Sequence, residues 1–253
     1  MYKILANQAF RSNLIIHLPS CHSTNDYAAN LIRNQTLLEG SVIITNEQTS
    51  GKGQRGNSWE SAPFHNLTFS LILTPKFLTI SNQFLITVVV SLGIIDALSE
   101  HLPLQPMIKW PNDIYVNDNK IAGVLIENVL KGSVYEAAIV GVGLNVNQND
   151  FDTNGAVSVR NITDSEMDLN EVFNNVIKSI GNYYQILMDG KHSLLMTQYH
   201  EHLYWLNKQH YFSDTSGRKF KGEILGVDQY GRLEISDGVN TKFYMNKEVV
   251  FEN

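Results

Sequence analysis

Residues 107–146 read MIKWPNDIYVNDNKIAGVLIENVLKGSVYEAAIVGVGLNV. Met107–Trp110, Ile114–Val116, Lys120–Val129 and Val134–Val146 are short runs rich in β-branched and apolar residues. Asp118-Asn119 and Lys131-Gly132 supply turn residues between them, which predicts strands joined as antiparallel hairpins. Strands in succession, with helical patterns kept apart from them, imply an α+β fold.

Working outward, Asn13–Leu18, Ser41–Glu47 and Leu67–Leu73 read as further strands. Ser23 is placed to cap a helix through about Arg33, with Asp26 three residues on. Ser81 can cap a long helix reaching about His101; Val88-Val89-Val90 favours a strand there, and length decides for a helix. Gln148–Glu166 is polar and irregular. Leu169–Met188 carries Val172, Phe173, Val176, Ile177, Ile180 and Tyr184 at helical spacing, and a second helix is expected over Ser193–Leu206. After Asn207 the texture changes. His210–Ser213, Lys219–Val227, Arg232–Ile235 and Lys242–Phe251 alternate over short spans punctuated by glycines, the pattern of a small β-barrel. A boundary near residues 190–207 divides the chain into expected domains 1–200 and 201–253.

The chain has 253 residues, 43% hydrophobic and 17% charged, which suits a globular protein with one main domain and a small companion. A net charge of −6 with no long basic run argues against a surface that tracks nucleic-acid phosphates, so no DNA partner is expected. Cys21 is the only cysteine, which excludes an internal disulfide and reads as a small hydrophobe or spectator. MYKILANQAF lacks a secretory pattern. The longest apolar run, Phe84–Leu98, is interrupted by Thr87, Ser91 and Asp96 and falls short of the roughly 20 residues a bilayer span needs. No membrane partner and a cytoplasmic location are expected.

Ser50–Trp59, SGKGQRGNSW, matches G-x-G-x-x-G letter for letter. A Rossmann loop would open a helix at the third glycine and be followed about 20 residues on by an acid. Here a strand follows instead, and no Asp or Glu occurs between Ser61 and Ile95. A Walker loop fails because Lys52 precedes Gly53, and a kinase lid fails because position 58 is Ser and no H-R-D occurs. Two readings stand: a surface turn, or a concavity of backbone N–H groups that binds an anion beside Lys52, Arg55 and Trp59.

Lys109-Trp110-Pro111-Asn112-Asp113 sets a cation four residues from a carboxylate across a rigid Trp-Pro. That suits charges held in register; the alternative is a turn with a surface ion pair. If Asn117-Asp118-Asn119 turns a hairpin, Lys120 folds back towards this segment. Gly141 and Gly143 lie inside a strand, which marks either a bulge or the close approach of a ligand or another backbone.

Together these residues resemble the biotin–protein ligases. Ser23-Thr24-Asn25 stands for the family's S-T-N, Gly51–Trp59 for G-R-G-R-R-G-x-x-W, and Gln48 lies just upstream. K-W-P-N-D is intact, Lys120–Gly123 follows as K-[IL]-A-G, and Gly141–Asn147 matches G-[IV]-G-[IL]-N-x-N. The resemblance runs from about Ile16 to the C-terminus and implies the class II synthetase-like catalytic fold with a C-terminal SH3-like barrel. It implies activation of biotin by ATP to biotinyl-5′-AMP, then transfer to a lysine of a biotin carboxyl carrier domain.

By resemblance, Ser23, Thr24, Asn25 and Gln48 bind the ureido ring, and Lys52, Gly53 and Gln54 close over the intermediate. Gly123 and Gly141 belong to the biotin pocket. Lys120 meets the carboxylate and then the anhydride phosphate. Arg55, Asn57, Trp59, Asn112 and Asn145 hold the adenylate, and Lys109 with Asp113 orients phosphates and Mg²⁺. Lys52 and Gln54 replace family arginines, so phosphate gripping loses the bidentate fork. The S-T-N motif begins at residue 23, which leaves no room before it for the DNA-binding domain of many relatives. Two rivals stand: a lipoate or octanoate–protein ligase of the same fold, opposed by KWPND and the glycine loop, and a non-catalytic biotin sensor, opposed by Lys109, Asp113 and Lys120. The carrier's identity is open, as is the choice between monomer and homodimer.

Overall fold

The computed structural model describes residues 10, 12, 14–34, 37–132 and 134–252. Asn13, the expected start of the first strand, lies outside them. The N-terminal elements are β1 (Ile15–Leu18), α1 (Thr24–Asn34), β2 (Val42–Thr45), β3 (Leu67–Leu73) and α2 (Phe84–Ser99). Then come β4 (Met107–Lys109), β5 (Asp113–Val116), β6 (Asn119–Lys131) and β7 (Val134–Leu144). Three helices follow: α3 (Val159–Thr163), α4 (Leu169–Met188) and α5 (His192–Glu201). The chain ends with β8 (Gln209–Asp214), β9 (Lys219–Val227), β10 (Leu233–Ser236), β11 (Thr241–Tyr244) and β12 (Val249–Glu252).

Seven strands form one sheet in the order β1-β2-β3-β7-β6-β5-β4, parallel only between β1 and β2. The expected α+β class is what forms. Alternation along β3 sends Leu67, Phe69, Leu71 and Leu73 to one face and Thr68, Ser70 and Ile72 to the other. The first face packs on α2 and α4, with Phe69 edge-on to Phe173 at 5.4 Å. Across the second face α1 covers one end only, where Ala28 meets Ile43, Ile72 and Ile139. The rest of that face is open to a cleft.

Helix α2 is buried nearly all round, and each Val, Leu or Ile so buried is worth roughly 1.5–3 kcal/mol. With the 3₁₀ turn before it, Ile80–Ser99 makes 20 residues long and apolar enough to cross a membrane by length and composition, contrary to the expectation above. Its most apolar window is 67% buried, which is the environment of a core helix. Ser81 is not its cap: the helix starts after Gln83 without a side-chain cap, and burial holds it in place.

Other boundaries shift for local reasons. The β5–β6 turn falls on Asn117-Asp118, with Asn117 at φ 53°, a conformation asparagine tolerates. Helix α5 ends at Glu201 because the chain leaves it to pair with β4: Ile108 N–H donates to His202 at 2.7 Å, and Tyr204 N–H to Ile108 at 2.8 Å. The irregular stretch holds α3, whose capping box uses Ser158 and Asn161 in place of the usual Glu or Gln. Lys242–Phe251 is two strands, β11 and β12, turning at Asn246-Lys247.

The second sheet is antiparallel in the order β11-β10-β9-β8-β12, with Phe212 near Phe220 and Phe251 on its inner side. Trp110 Nε1 donates to Gly231 O at 2.9 Å and ties the two sheets together.

Gly93 in α2 sits against α4 so closely that a Cβ there would lie 2.7 Å from the backbone of Ile180. Gly93→Ala is expected to lower stability by about 1–3 kcal/mol in urea unfolding. An unchanged midpoint would show that α2 and α4 are not in this contact.

Candidate active site

The register of the large sheet assembles the site. Lys109 pairs with Asp113, Asp113 with Gly123, Gly123 with Gly143 and Gly143 with Thr68, a row of residues on the open face. Lys120 and Gly123 are three apart and would point to opposite faces of a regular strand. A bulge intervenes: Ile114 pairs with Ala122 but Tyr115 with Lys120, so Ile121 drops out of the ladder. Lys120 thereby joins Asp113 on the open face, and the two meet at 2.7 Å. The expectation that Lys120 folds back on this segment holds, and its partner is Asp113. Lys109 stands opposite Asp113 in the ladder, but its ammonium lies over aromatic rings and the ion pair of Asp113 is with Lys120.

The face opens into a cleft of about 980 Å³. Its α1 end is a network of amides and hydroxyls backed by the Glu127 carboxylate. Thr24 donates to Gln48 Oε1 from both its N–H (2.8 Å) and its hydroxyl (3.2 Å). Ser70 Oγ lies 2.8 Å from Thr24 Oγ1 and 2.6 Å from Asn25 Oδ1. Asn25 Nδ2 donates to Glu127 at 2.7 Å and to the Leu125 carbonyl at 3.3 Å. A carboxylate can only accept, so the Asn25 amide has one orientation, with Oδ1 over Gly141. Ser23 caps α1, its Oγ 3.4 Å from Asp26 N.

The opposite end is cationic. Lys109 Nζ lies over the rings of Tyr115 (4.7 Å), Phe251 (5.3 Å) and Tyr204 (5.9 Å). Burial pushes its ammonium below the ordinary lysine value; nearby Lys120 adds to this, and Asp113 and Asp118 oppose it. Burial and the charge of Asp113 push the Tyr115 phenol up to about 12, so it stays protonated. Asn112 is buried and donates to the Val124 carbonyl. Asp113 is the one carboxylate among the described residues on the cleft wall.

The glycine segment is a small hairpin. Lys52 bridges Ser58, Gly53 N–H donates to Asn57 O at 2.7 Å, and Trp59 N–H to Gly51 O at 2.9 Å. The Gly53 N–H is thus used inside the loop, against the expectation of a free anion-binding concavity. Gly56 turns the loop at φ 89°. Two contacts hold the hairpin from either side. Lys52 pairs with Asp26 at 2.7 Å, which raises its pKa, and Asn246 donates to Gln54 from the β11–β12 turn.

Trp59 lies across the floor. A Cβ on Gly143 would fall 2.2 Å from its indole, and one on Gly141 would fall 2.5 Å from Asn25 Oδ1. The strand glycines therefore make room for the protein's own side chains. Neither sits in a bulge. Lys120 Nζ is 5.6 Å from the Trp59 ring, whose buried Nε1 has no hydrogen-bond partner.

Ser23, Thr24, Asn25, Gln48, Lys52, Gly53, Gln54, Asn57, Trp59, Lys109, Asn112, Asp113, Lys120, Gly123 and Gly141 all line the one cleft. Asn145 is not among the lining residues: it is buried, with Nδ2 donating to Val157 O at 3.1 Å and Oδ1 unpartnered. The Arg55 side chain lies outside the described residues. Cys21 borders the motif through a bridge to Gln48, and burial raises its thiol. Sequence reading missed Ser70, whose only signal was a hydroxyl inside an apolar strand. It also missed Glu127, Tyr115 and the C-terminal turn with Asn246 and Phe251. Gly143→Ala is expected to expel the Trp59 indole and red-shift its emission, obtained by subtracting Trp59→Phe spectra. Unshifted emission would mean the indole does not rest on Gly143.

The biotin/lipoate A/B protein ligase family matches residues 18–145. The chain is similar to the bifunctional ligase/repressor BirA of Bacillus subtilis, 25% identical over 242 residues, covering 93% of this chain and 73% of that protein. It is also similar to the biotin–[acetyl-CoA-carboxylase] ligase of Paracoccus denitrificans, 36% identical over 114 residues, 43% of this chain and 46% of that one. The biotin protein ligase of Aquifex aeolicus, solved with biotin and ATP, superposes with a TM-score of 0.79 at 25% identity, covering 95% and 99% of the two chains. Just over half of the sequence follows the family pattern and nearly all of it follows the fold, so the chain belongs to the biotin/lipoate A/B protein ligase family.

Proposed function

We propose that the chain is a biotin–protein ligase. One observation carries the reading: a single cleft joins an amide–hydroxyl network to a pair of lysines flanking a carboxylate. Gln48 spends Oε1 on Thr24 and keeps Nε2 as a donor, while Asn25 Oδ1, which accepts from Ser70 Oγ, has a second lone pair to offer. A cyclic urea offers a carbonyl to the first and an N–H to the second. The dithiolane of lipoate or the tail of octanoate would leave these groups unpaired, and sites built on polar contacts reject such analogues. The Aquifex protein was solved with biotin and ATP.

In this reading biotin's carboxylate oxygen attacks the α-phosphorus of ATP, a C–O–P anhydride forms and pyrophosphate leaves. Lys120 leaves Asp113 to meet the developing charge. Lys109 faces the departing phosphates, and the hairpin over Trp59 excludes water from the anhydride. The amine of an acceptor lysine then attacks the acyl carbon, an amide forms and AMP leaves. The acceptor is a biotin carboxyl carrier domain, in line with the name of the Paracoccus relative. In the large sheet the outer side of β4 is already bonded by His202 and Tyr204, so strand pairing with a carrier does not use it.

A single wall carboxylate fits Mg²⁺ that arrives with triphosphate, because such an ion takes one or two carboxylates and keeps several waters. Asp113 would hold it, and its charge would offset that of the phosphates. Residues 201–253 act as a separate small domain that closes the cationic end. A cytoplasmic location is part of this reading.

The full chain incubated with biotin, Mg·ATP and a carrier domain should add one biotinyl group to the carrier in intact-mass spectra; an unmodified carrier favours a sensor. Lys120→Ala should lower biotin-dependent pyrophosphate release by about 100-fold or more with the fold retained. Release at the wild-type rate from that variant sinks the assignment.

A further inference from the structure

The C-terminal sheet borders the cleft through its last turn and β12, and Phe251 is the ring it contributes. Lys109 Nζ lies 5.3 Å from the Phe251 ring of β12, 4.7 Å from Tyr115 and 5.9 Å from Tyr204, all within cation–π range. We propose that Phe251 is a positioning residue for Lys109, completing an aromatic cage that aims the ammonium at the phosphates of the nucleotide. The proposal rests on the reading of the cleft as a biotin and ATP site.

The cage is rigid. Phe251 packs on Trp205 at 5.5 Å and edge-on to Phe212 at 5.4 Å. Tyr204 stacks on Trp205 at 4.9 Å, and its hydroxyl donates to Asp118. Tyr115 and Tyr204 lie 5.7 Å apart. Among the described residues no carboxylate lies within ion-pair distance of Lys109, because Asp113 is taken by Lys120.

The difference matters chemically. Lys120 must break an ion pair before it serves a ligand anion. A caged lysine need not, because ring faces hold the charge without consuming its three N–H donors. The desolvation that lowers the Lys109 pKa disfavours its charged form, and the negative ring faces counter that cost. Two of the three rings, Tyr204 and Phe251, come from beyond α5, so the cationic end is incomplete without the C-terminal part of the chain.

The test compares Phe251→Met, which fills the space without a ring, and Phe251→Tyr, which keeps one. Biotin-dependent pyrophosphate release is measured against ATP at saturating biotin, and against biotin at saturating ATP. Phe251→Met should raise KM for ATP roughly fivefold or more with KM for biotin within about twofold, and Phe251→Tyr should restore it. A wild-type KM for ATP in the Met variant, or equal losses in both variants, overturns the proposal. Lysine-labelled protein gives a reading independent of turnover. Ring currents should shift the Lys109 Cε protons upfield in the wild type, a signal absent in Lys109→Arg and relaxed in Phe251→Met. No such signal also overturns the cage. A wild type that shows the signal but releases no pyrophosphate overturns the reading of the cleft instead.

Discussion

A β-strand presents each side chain to one face only, and the cleft depends on that rule being broken once. In Lys120-Ile121-Ala122-Gly123 a regular ladder would set the lysine and the glycine on opposite sides. Looping Ile121 out of register buries its side chain in the core and turns Lys120 towards Asp113. The chemistry and the packing are therefore one event. Forcing Lys120 back into the apolar face would bury an unpaired charge, and removing Ile121 from the core would open a cavity; either cost favours the bulge.

The remaining architecture protects that arrangement by covering the two faces unequally. Helices α2 and α4 seal one face with apolar side chains, which supplies the rigidity. Across the other, α1 stops short, and its first residues, Thr24 and Asn25, become the polar wall of the cleft. Bare positions at Gly141 and Gly143 let Asn25 and Trp59 lie directly on the sheet. A glycine in a strand weakens it locally, and here the loss is offset by the side chains it admits.

The C-terminal sheet is part of the site. Its turn at Asn246 touches the glycine hairpin through Gln54, and Phe251 closes the ring around Lys109. The Gln54 amide makes a neutral contact with the β11–β12 turn. The hairpin is thus gripped by a charge pair on one side, Lys52 with Asp26, and by an amide pair on the other. The Lys52–Asp26 pair is exposed, and an ion pair of that kind is weak enough to exchange for ligand contacts.

Local pattern alone settled much of this. Leu67–Leu73, Leu169–Met188 and Lys219–Val227 form with the expected boundaries, because long runs of one periodicity leave no competing structure. The motifs carried the family, since Ser23–Asn25, Gly51–Trp59, Lys109–Asp113, Lys120–Gly123 and Gly141–Asn145 occur in order, and most converge on one cleft. Contacts between distant segments were out of reach. No spacing in the sequence announces that Asp113 pairs with Lys120 while Lys109 is caged by rings from β12 and the segment after α5, or that Asn145 spends its amide on Val157. Sequence named most of the residues that border the cleft, because their types recur at legible local spacings, and it missed those such as Tyr115 and Phe251 that stand outside the motifs. Tertiary structure decided which of them touch, because sheet register, one bulge and the docking of the C-terminal sheet are energies shared among residues far apart in the chain.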